Sequence, residues 1–310
     1  MKNGSPLLVT GASGMLGAAV VAAAAVRNPV VACHGRNPFQ WPGVISRGVD
    51  LLSPAATQQL LYTIQPGCII HLAAATQIDQ CEQFPAAADE LNAVCTRRLA
   101  EWAARHGAVF VYMSTDSVFA GTRGSYQETD LTEPVNHYAR SKLAGERAVQ
   151  ASGGEHLIIR GNIFGWNAQP KQNLAEWVLA KLECGETVPG FTDIIFNPLL
   201  VNTLASIILD LLEHGCRGIV HTGCASPLSK FDFACKLAGT FGHPVKQVIP
   251  TLSSAAPLPT PRPNNTSLDC TKLARILDAT AITIDQELQT FRELRSSGFV
   301  SMLKSSIIPL

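Results

Sequence analysis

Tyr138 and Lys142 stand four positions apart in a run of mostly good helix formers, Ala139, Arg140, Leu143, Ala144, Glu146 and Arg147. On a helix that spacing puts both side chains on one face, one turn apart. A phenol beside an ammonium has acid–base chemistry: free tyrosine titrates at about pH 10, and a nearby cation favours its ionised form. Bringing it to about 7 takes roughly 4 kcal/mol at about 1.36 kcal/mol per unit. That is work for one desolvated lysine helped by a cationic cofactor ring. Ser114-Thr115-Asp116 closes an apolar strand just upstream. A hydroxyl there reaches the same point in space as Tyr138. Taken singly, these residues also suit a surface helix and a capped turn, so the elements that position them decide the reading.

Leu7-Leu8-Val9-Thr10, Val30-Val31-Ala32-Cys33, Cys68-Ile69-Ile70-His71, Val109-Phe110-Val111-Tyr112-Met113 and His156-Leu157-Ile158-Ile159-Arg160 read as strands. Several are unbroken apolar runs, as in a sheet buried on both faces. Helices alternate with them: an Ala/Val-rich one ending near Arg27, one opened by Ser53-Pro54, one from Ala86 to His106, and the Tyr138 helix. Gly48-Val49-Asp50-Leu51 reads as a further strand end. This rhythm predicts an α/β fold, a Rossmann-type doubly wound parallel sheet with right-handed crossovers. Ligands of such sheets bind at the carboxyl ends of the strands, where every chemically interesting run lies. After Gly165 the rhythm loosens. Helices are expected over 173–184, 199–213, 231–241, 271–277 and 285–296, with one more sheet strand at Gly218-Ile219-Val220-His221 and a loop in the proline-rich stretch 256–263. The expected division is a dinucleotide-binding domain at 1–164, rejoined by 193–222. The smaller, mostly C-terminal α/β substrate lobe comprises 165–192 and 223–310.

Gly11-x-x-Gly14-x-x-Gly17 follows the first strand and opens a helix. Such glycines permit a tight turn, close backbone approach to a pyrophosphate and close helix–strand packing, while the helix N-terminus offers free N–H groups to phosphates. The cofactor turn therefore comprises Gly11, Ser13, Gly14, Met15, Leu16 and Gly17. An NAD site places an acid about 20 residues after this turn. The second strand ends instead in Cys33-His34-Gly35-Arg36. Arg36 can pair bidentately with a 2′-phosphate, so NADPH is expected ahead of NADH. Asp50-Leu51 is placed to meet the adenine.

The chain has 310 residues, of which 46% are hydrophobic and 15% charged, with a formal net charge of zero. That suits one large domain with a smaller lobe and argues against nucleic-acid or anionic-membrane partners. The N-terminus lacks a signal-peptide pattern. Ala18 to Val26, the most apolar stretch, has about half the length needed to span a bilayer. A cytoplasmic protein is expected. The nine cysteines include no C-x-x-C pair, so neither a metal site nor a disulfide framework is expected.

Taken in order, the motifs resemble those of extended short-chain dehydrogenase/reductases, in particular the dTDP-4-dehydrorhamnose reductase family of sugar-nucleotide 4-ketoreductases. They are Thr10-Gly11-x-x-Gly14-x-x-Gly17; His71-Leu72-Ala73-Ala74-Ala75-Thr76 with Ile78-Asp79-x-Cys81-Glu82; Leu91-Asn92; Ser114-Thr115-Asp116-x-Val118-Phe119; and Tyr138-x-x-x-Lys142-x-x-Gly145-Glu146. Ile159-Arg160, Asn197-Pro198, Arg262-Pro263 and Leu268-Asp269-x-x-Lys272-Leu273 follow. The resemblance implies a catalytic triad of Thr115, Tyr138 and Lys142. It implies cofactor contacts at Ala73, Ala74 and Ala75 and at His34. It also implies a sugar site lined by Thr76, Ile78, Asp116, Asn162, Phe196 and Asn197. The implied reaction is NADPH-dependent reduction of the 4-keto group of a nucleotide-linked deoxysugar; Lys142 would hold the nicotinamide ribose and lower the Tyr138 pKa. Related epimerases and dehydratases are the nearest alternatives within enzymes, although Thr115 is followed by Asp116-Ser117 and not by an acidic pair. An NADP-binding regulatory subunit without turnover is the alternative outside them, and a homodimer is the default assembly. The sequence departs from the family at Gly161-Asn162-Ile163-Phe164, at Ser117 and at Asn197-Pro198, all on the substrate side, which leaves nucleotide and sugar open.

Overall fold

A computed structural model describes residues 4–256, 258–278 and 280–308. Met1, Lys2 and Asn3, and Pro257 in the proline-rich stretch, lie outside the described residues.

The N-terminal half runs β1 (Leu7–Thr10), α1 (Met15–Ala24), β2 (Val30–His34), β3 (Ile45–Gly48), α2 (Pro54–Ile64), β4 (Cys68–His71), α3 (Ile78–Gln83), α4 (Pro85–Asp89), a π-helical turn (Glu90–Cys95), α5 (Thr96–His106), β5 (Val109–Met113), α6 (His137–Ala151) and β6 (His156–Gly161). After it come β7 (Ile163–Phe164), α7 (Leu174–Glu183), β8 (Val188–Phe191), β9 (Ile195–Phe196), β10 (Leu199–Leu200), α8 (Val201–Glu213) and β11 (Gly218–Thr222). The chain finishes with β12 (Leu228–Ser229), α9 (Lys230–Thr240), β13 (Val248–Thr251), α10 (Thr271–Leu277), α11 (Ile284–Ser296) and α12 (Phe299–Ser305).

Seven strands form one sheet in the order β11-β6-β5-β4-β1-β2-β3. Every pairing in it is parallel. This is the Rossmann-type doubly wound α/β fold. β1 and β4 are buried along their whole length, as their unbroken apolar runs require. The chain runs from β1 toward β3 on one side and from β4 toward β11 on the other. The direction switches between β1 and β4, where doubly wound sheets bind ligands.

Local chemistry accounts for the helix starts. Ser53 caps α2, its hydroxyl accepting from Ala56 N at 3.3 Å, with Pro54 in the first turn. Asn136 caps α6, its side chain accepting from Ala139 N at 3.0 Å. Three elements differ from expectation. The helix expected over 86–106 is interrupted by the π-helical turn, which carries Asn92 into the site. Leu199–Leu200 is a short strand pairing with β7, and α8 begins at Val201. Gly48 ends β3, so Asp50-Leu51 lies beyond the strand.

The later segments form small pairs of strands over the sheet's carboxyl edge: β10 with β7, β12 with β9, and β13 with β8. Isolated bridges join Ile195 to Asn265 and Tyr126 to Leu268. One continuous apolar cluster runs from β1 and α1 through α8 to Phe233, Leu288, Phe291 and Leu303. Within it the Trp166 and Phe291 rings stack at 4.2 Å.

Candidate active site

α6 places Tyr138 half-buried and Lys142 only 3% exposed. The Lys142 Nζ lies 4.0 Å from the centroid of the Tyr112 ring on β5, an arrangement in which the ring face stabilises the cation. Thr115, buried just past the end of β5, faces the Tyr138 phenol. The three residues of the expected triad are thus gathered at the carboxyl ends of the central strands. Their electrostatics differ from expectation. Burial pushes the Tyr138 phenol up to about 12; Thr115 opposes this, and the charges of Asp116 and Cys81 add to it. Burial pushes the Lys142 ammonium down to about 7, against the pull of Glu146. Desolvation leads both shifts, against the lowering of the Tyr138 phenol that the spacing implied, and the phenol keeps its proton at neutral pH.

Two buried clamps hold this helix. The first centres on Asn92. Its Oδ1 accepts from Ala75 N at 2.8 Å, and its Nδ2 donates to Ala75 O at 3.0 Å and Ser141 Oγ at 2.9 Å. Ser141 Oγ in turn donates to Tyr138 O at 2.8 Å. One amide therefore ties the segment after β4 to the Tyr138 turn. In the second clamp Glu146 receives Arg160 Nε at 2.9 Å and Nη2 at 2.6 Å, and also the Ser114 hydroxyl. It binds α6 to the ends of β5 and β6. A side chain at Gly145 would collide with the Tyr112 hydroxyl and the Asn92 carbonyl, so α6 approaches β5 closely only with glycine there. Asn92, Gly145, Glu146 and Arg160 stand in the motif runs, but their spacing says nothing of these partners.

The glycine turn fits a dinucleotide. Gly11 has φ +68, and a Cβ on it would come 2.6 Å from Ala73 N; one on Gly17 would strike the Gly11 carbonyl. Turn, β4 segment and α1 are therefore in close contact. A Cβ on Gly14 would meet only Gly11 O, at 3.2 Å, so that face is open to a phosphate. No side chain caps the α1 N-terminus and no acid stands in its first turn, which leaves its N–H groups and dipole to an anion. Leu16 is buried, so only its backbone is available, and Met15 is half-buried beside Asn173 Nδ2. Gln169 Nε2 donates to Ser13 O at 2.8 Å, bringing the 165–173 segment to the turn, a contact without any local signal in the sequence.

Just past the end of β2 Arg36 is exposed and has no hydrogen bond or ion pair among the described residues. His34 Nδ1 is 3.1 Å from Gly35 O, and the ring packs against Gly48. Asp50 is exposed, and its Oδ1 accepts from Leu52 N at 3.0 Å. Leu51 turns into the core with Cys33 and Ile69 because an apolar side chain past the strand end is better buried than left against the adenine position. Ala73, Ala74 and Ala75 are half-buried just past the end of β4.

Of the expected sugar-site residues, Thr76 is exposed and Ile78 half-buried at the start of α3. Asn162 donates from Nδ2 to Asp116 Oδ2 at 3.1 Å. Phe196 and Asn197 face inward. The Phe196 ring packs against Phe233 at 5.6 Å. Asn197 donates to Cys224 O and Leu268 O and accepts from Leu268 N. An amide with its donors and acceptor spent on backbone is a fastener of the lobe, not a sugar ligand. Two cations went unassigned in the sequence reading. Lys230, half-buried at the start of α9, is lowered by burial and drawn the other way by Asp116. Arg262 donates to Asp79 Oδ1 at 2.8 Å.

The chain matches the family model for the RmlD substrate binding domain over residues 5–294. A probable low-salt glycan biosynthesis reductase of Haloferax volcanii is 30% identical, over 90% of this chain and 95% of its own. The methionine adenosyltransferase 2 subunit beta of Xenopus tropicalis is 31% identical, over 88% of this chain and 83% of its own. The crystal structure of dTDP-4-dehydrorhamnose reductase from Bacillus anthracis in complex with NADP superposes with a TM-score of 0.81 at 25% identity, covering 93% of this chain and 99% of that one.

Proposed function

The chain belongs to the RmlD substrate binding domain family, within the extended short-chain dehydrogenase/reductases, and on that premise we propose that it reduces the 4-keto group of a nucleotide-linked deoxysugar with NADPH. The observation that carries the proposal is the gathering of Thr115, Tyr138 and Lys142 beside an uncapped glycine turn. The NADP complex of the related Bacillus anthracis reductase supports the cofactor.

In this reading the cofactor is held by the backbone of the Gly11–Gly17 turn, by Arg36 at the 2′-phosphate, by Ala73 to Ala75 along the cleft and by Lys142 at the nicotinamide ribose. When bound, the reduced nicotinamide supplies the hydride. Tyr138 donates its phenolic proton to the carbonyl oxygen as general acid. Its burial suits that role, since a phenol near 12 is protonated at neutral pH. Lys142 offsets the phenolate charge left behind, and Thr115 orients the carbonyl. Residues 1–164 and 193–222 serve the cofactor; 165–192 and 223–310 serve the sugar, with Thr76, Ile78 and Asn162 nearest to it.

A second reading is an NADP-binding regulatory subunit without turnover. The relation to the beta subunit of methionine adenosyltransferase 2 favours it. The two separate in one assay: NADPH absorbance at 340 nm with a panel of dTDP-, UDP- and GDP-linked 4-keto-6-deoxy sugars. The reductase reading expects oxidation with at least one. Tight NADPH binding without oxidation by any of them selects the subunit.

A further inference from the structure

We propose that Asp116 is a positioning residue and not a sugar ligand: its carboxylate orients the Thr115 hydroxyl and locks the end of β5 to the Asn265–Leu268 segment through Thr266. The carboxylate is 2% exposed. Oδ1 accepts from Thr115 Oγ1 at 3.0 Å and Ser117 Oγ at 3.2 Å. Oδ2 accepts from Asn162 Nδ2 at 3.1 Å and Thr266 Oγ1 at 2.5 Å. An ionised carboxylate offers about four lone-pair sites, and the protein's own donors fill them. A sugar hydroxyl would bind there only by displacing one.

These donors come from three separate stretches: the turn after β5, the β6–β7 junction and the segment bridged to β9 at Ile195–Asn265. The carboxylate is thus where the sheet edge and the lobe meet. Thr115 has one hydroxyl proton, which Asp116 Oδ1 accepts in the free protein and which a substrate carbonyl would have to draw from it. One Thr115 lone pair accepts from Ser117 N at 3.2 Å, and the hydroxyl oxygen also faces the Tyr138 phenol. The Asp116 charge therefore lies one hydroxyl away from the phenol and opposes its ionisation.

Other groups face Tyr138 from the elements around it. Cys81 lies on α3 and Tyr112 on β5, with Lys142 on its own helix. Next to it His137 donates its backbone N–H to Glu82 Oε2, and its ring Nε2 lies 3.0 Å from Asp89 Oδ1. Lys230 on α9 faces Asp116 from the far side, and Arg262 faces Lys230. None of them donates to the Asp116 carboxylate.

The inference rests on Tyr138 being the proton donor. It is tested in the full-length protein carrying a fluorinated tyrosine at position 138, whose lower titration range is read by fluorine NMR. Asp116→Asn is expected to move the midpoint down by about one pH unit while NADPH affinity holds. Thr266→Val removes one donor, leaves the Asp116 charge less compensated and is expected to move the midpoint up; Thr266→Ser is expected to restore it. Opposite signs distinguish orientation from general loosening. A midpoint unmoved by Thr266→Val, or moved the same way by both variants, overturns the proposal. So does an Asp116→Asn protein with an unmoved midpoint and only a raised KM, which would make Asp116 a sugar ligand. The titration needs no turnover, so a protein that never oxidises NADPH fails the reductase reading on which the inference rests, while the two midpoints report separately whether Asp116 acts on the Tyr138 phenol.

Discussion

Lys142 on α6 holds its ammonium 4.0 Å over the ring of Tyr112 on β5, an aromatic face with the nearest strong carboxylate influence coming from Glu146. Burial and a single ring face leave the cation under-compensated, and its pKa falls to about 7. A cation so placed is disfavoured in the fold.

Lys142→Met should therefore stabilise the protein. The folded-state pKa is depressed below the unfolded value, so the unfolded chain binds more protons between about pH 7 and 10.4, and wild-type stability rises with pH across that window. At pH 6 the variant should gain on the order of 2 kcal/mol, a conservative discount for the lost ring contact. The gain should shrink as pH approaches 10. Denaturant melts at several pH values check this. A variant less stable than wild type at pH 6 would show that Lys142 is not strained by burial.

Arg36→Ala should weaken NADPH by about 1–2 kcal/mol and leave NADH unchanged, since an exposed guanidinium contributes to the 2′-phosphate and to little else. Nucleotide fluorescence titration measures both. Equal weakening would retire the 2′-phosphate role.

Asn92→Ala strips the partners from Ala75 N–H, Ala75 O and Ser141 Oγ at once. Leaving buried polar groups unpaired costs about 1–3 kcal/mol each before relaxation or water entry. A loss of at least about 2 kcal/mol in a thermal melt is expected, with a larger fall in kcat than in NADPH affinity. A neutral melt would mean that water replaces the amide.

The sheet was legible because its strands are unbroken apolar runs, and the Tyr138–Lys142 helix because its residues are good helix formers with the two side chains one turn apart. Other features depend on partners that sequence order does not bring together. Asp116 enters the expected sugar site through the family resemblance; the hydrogen bond from Thr266, 150 residues downstream, to its carboxylate has no local signal in the sequence. Phe196 and Asn197 follow one another in sequence, yet both point inward: one meets Phe233 and the other the Leu268 backbone. The π-helical turn has no periodicity of its own, and it stands where the Asn92 side chain binds Ala75 and Ser141.

The central claim is that Tyr138 gives the proton during a reduction that consumes NADPH. It is tested most directly by following 340 nm absorbance for wild type and Tyr138→Phe side by side, with the nucleotide-linked 4-keto sugars of the panel. Wild type should oxidise NADPH with at least one of them. Tyr138→Phe should be slower by about 10²- to 10⁴-fold, the span of general acid catalysis, with NADPH affinity nearly unchanged. Turnover by Tyr138→Phe within about tenfold of wild type, a loss below that span, would contradict the claim, and so would a wild-type protein that binds NADPH and oxidises it with none of the sugars.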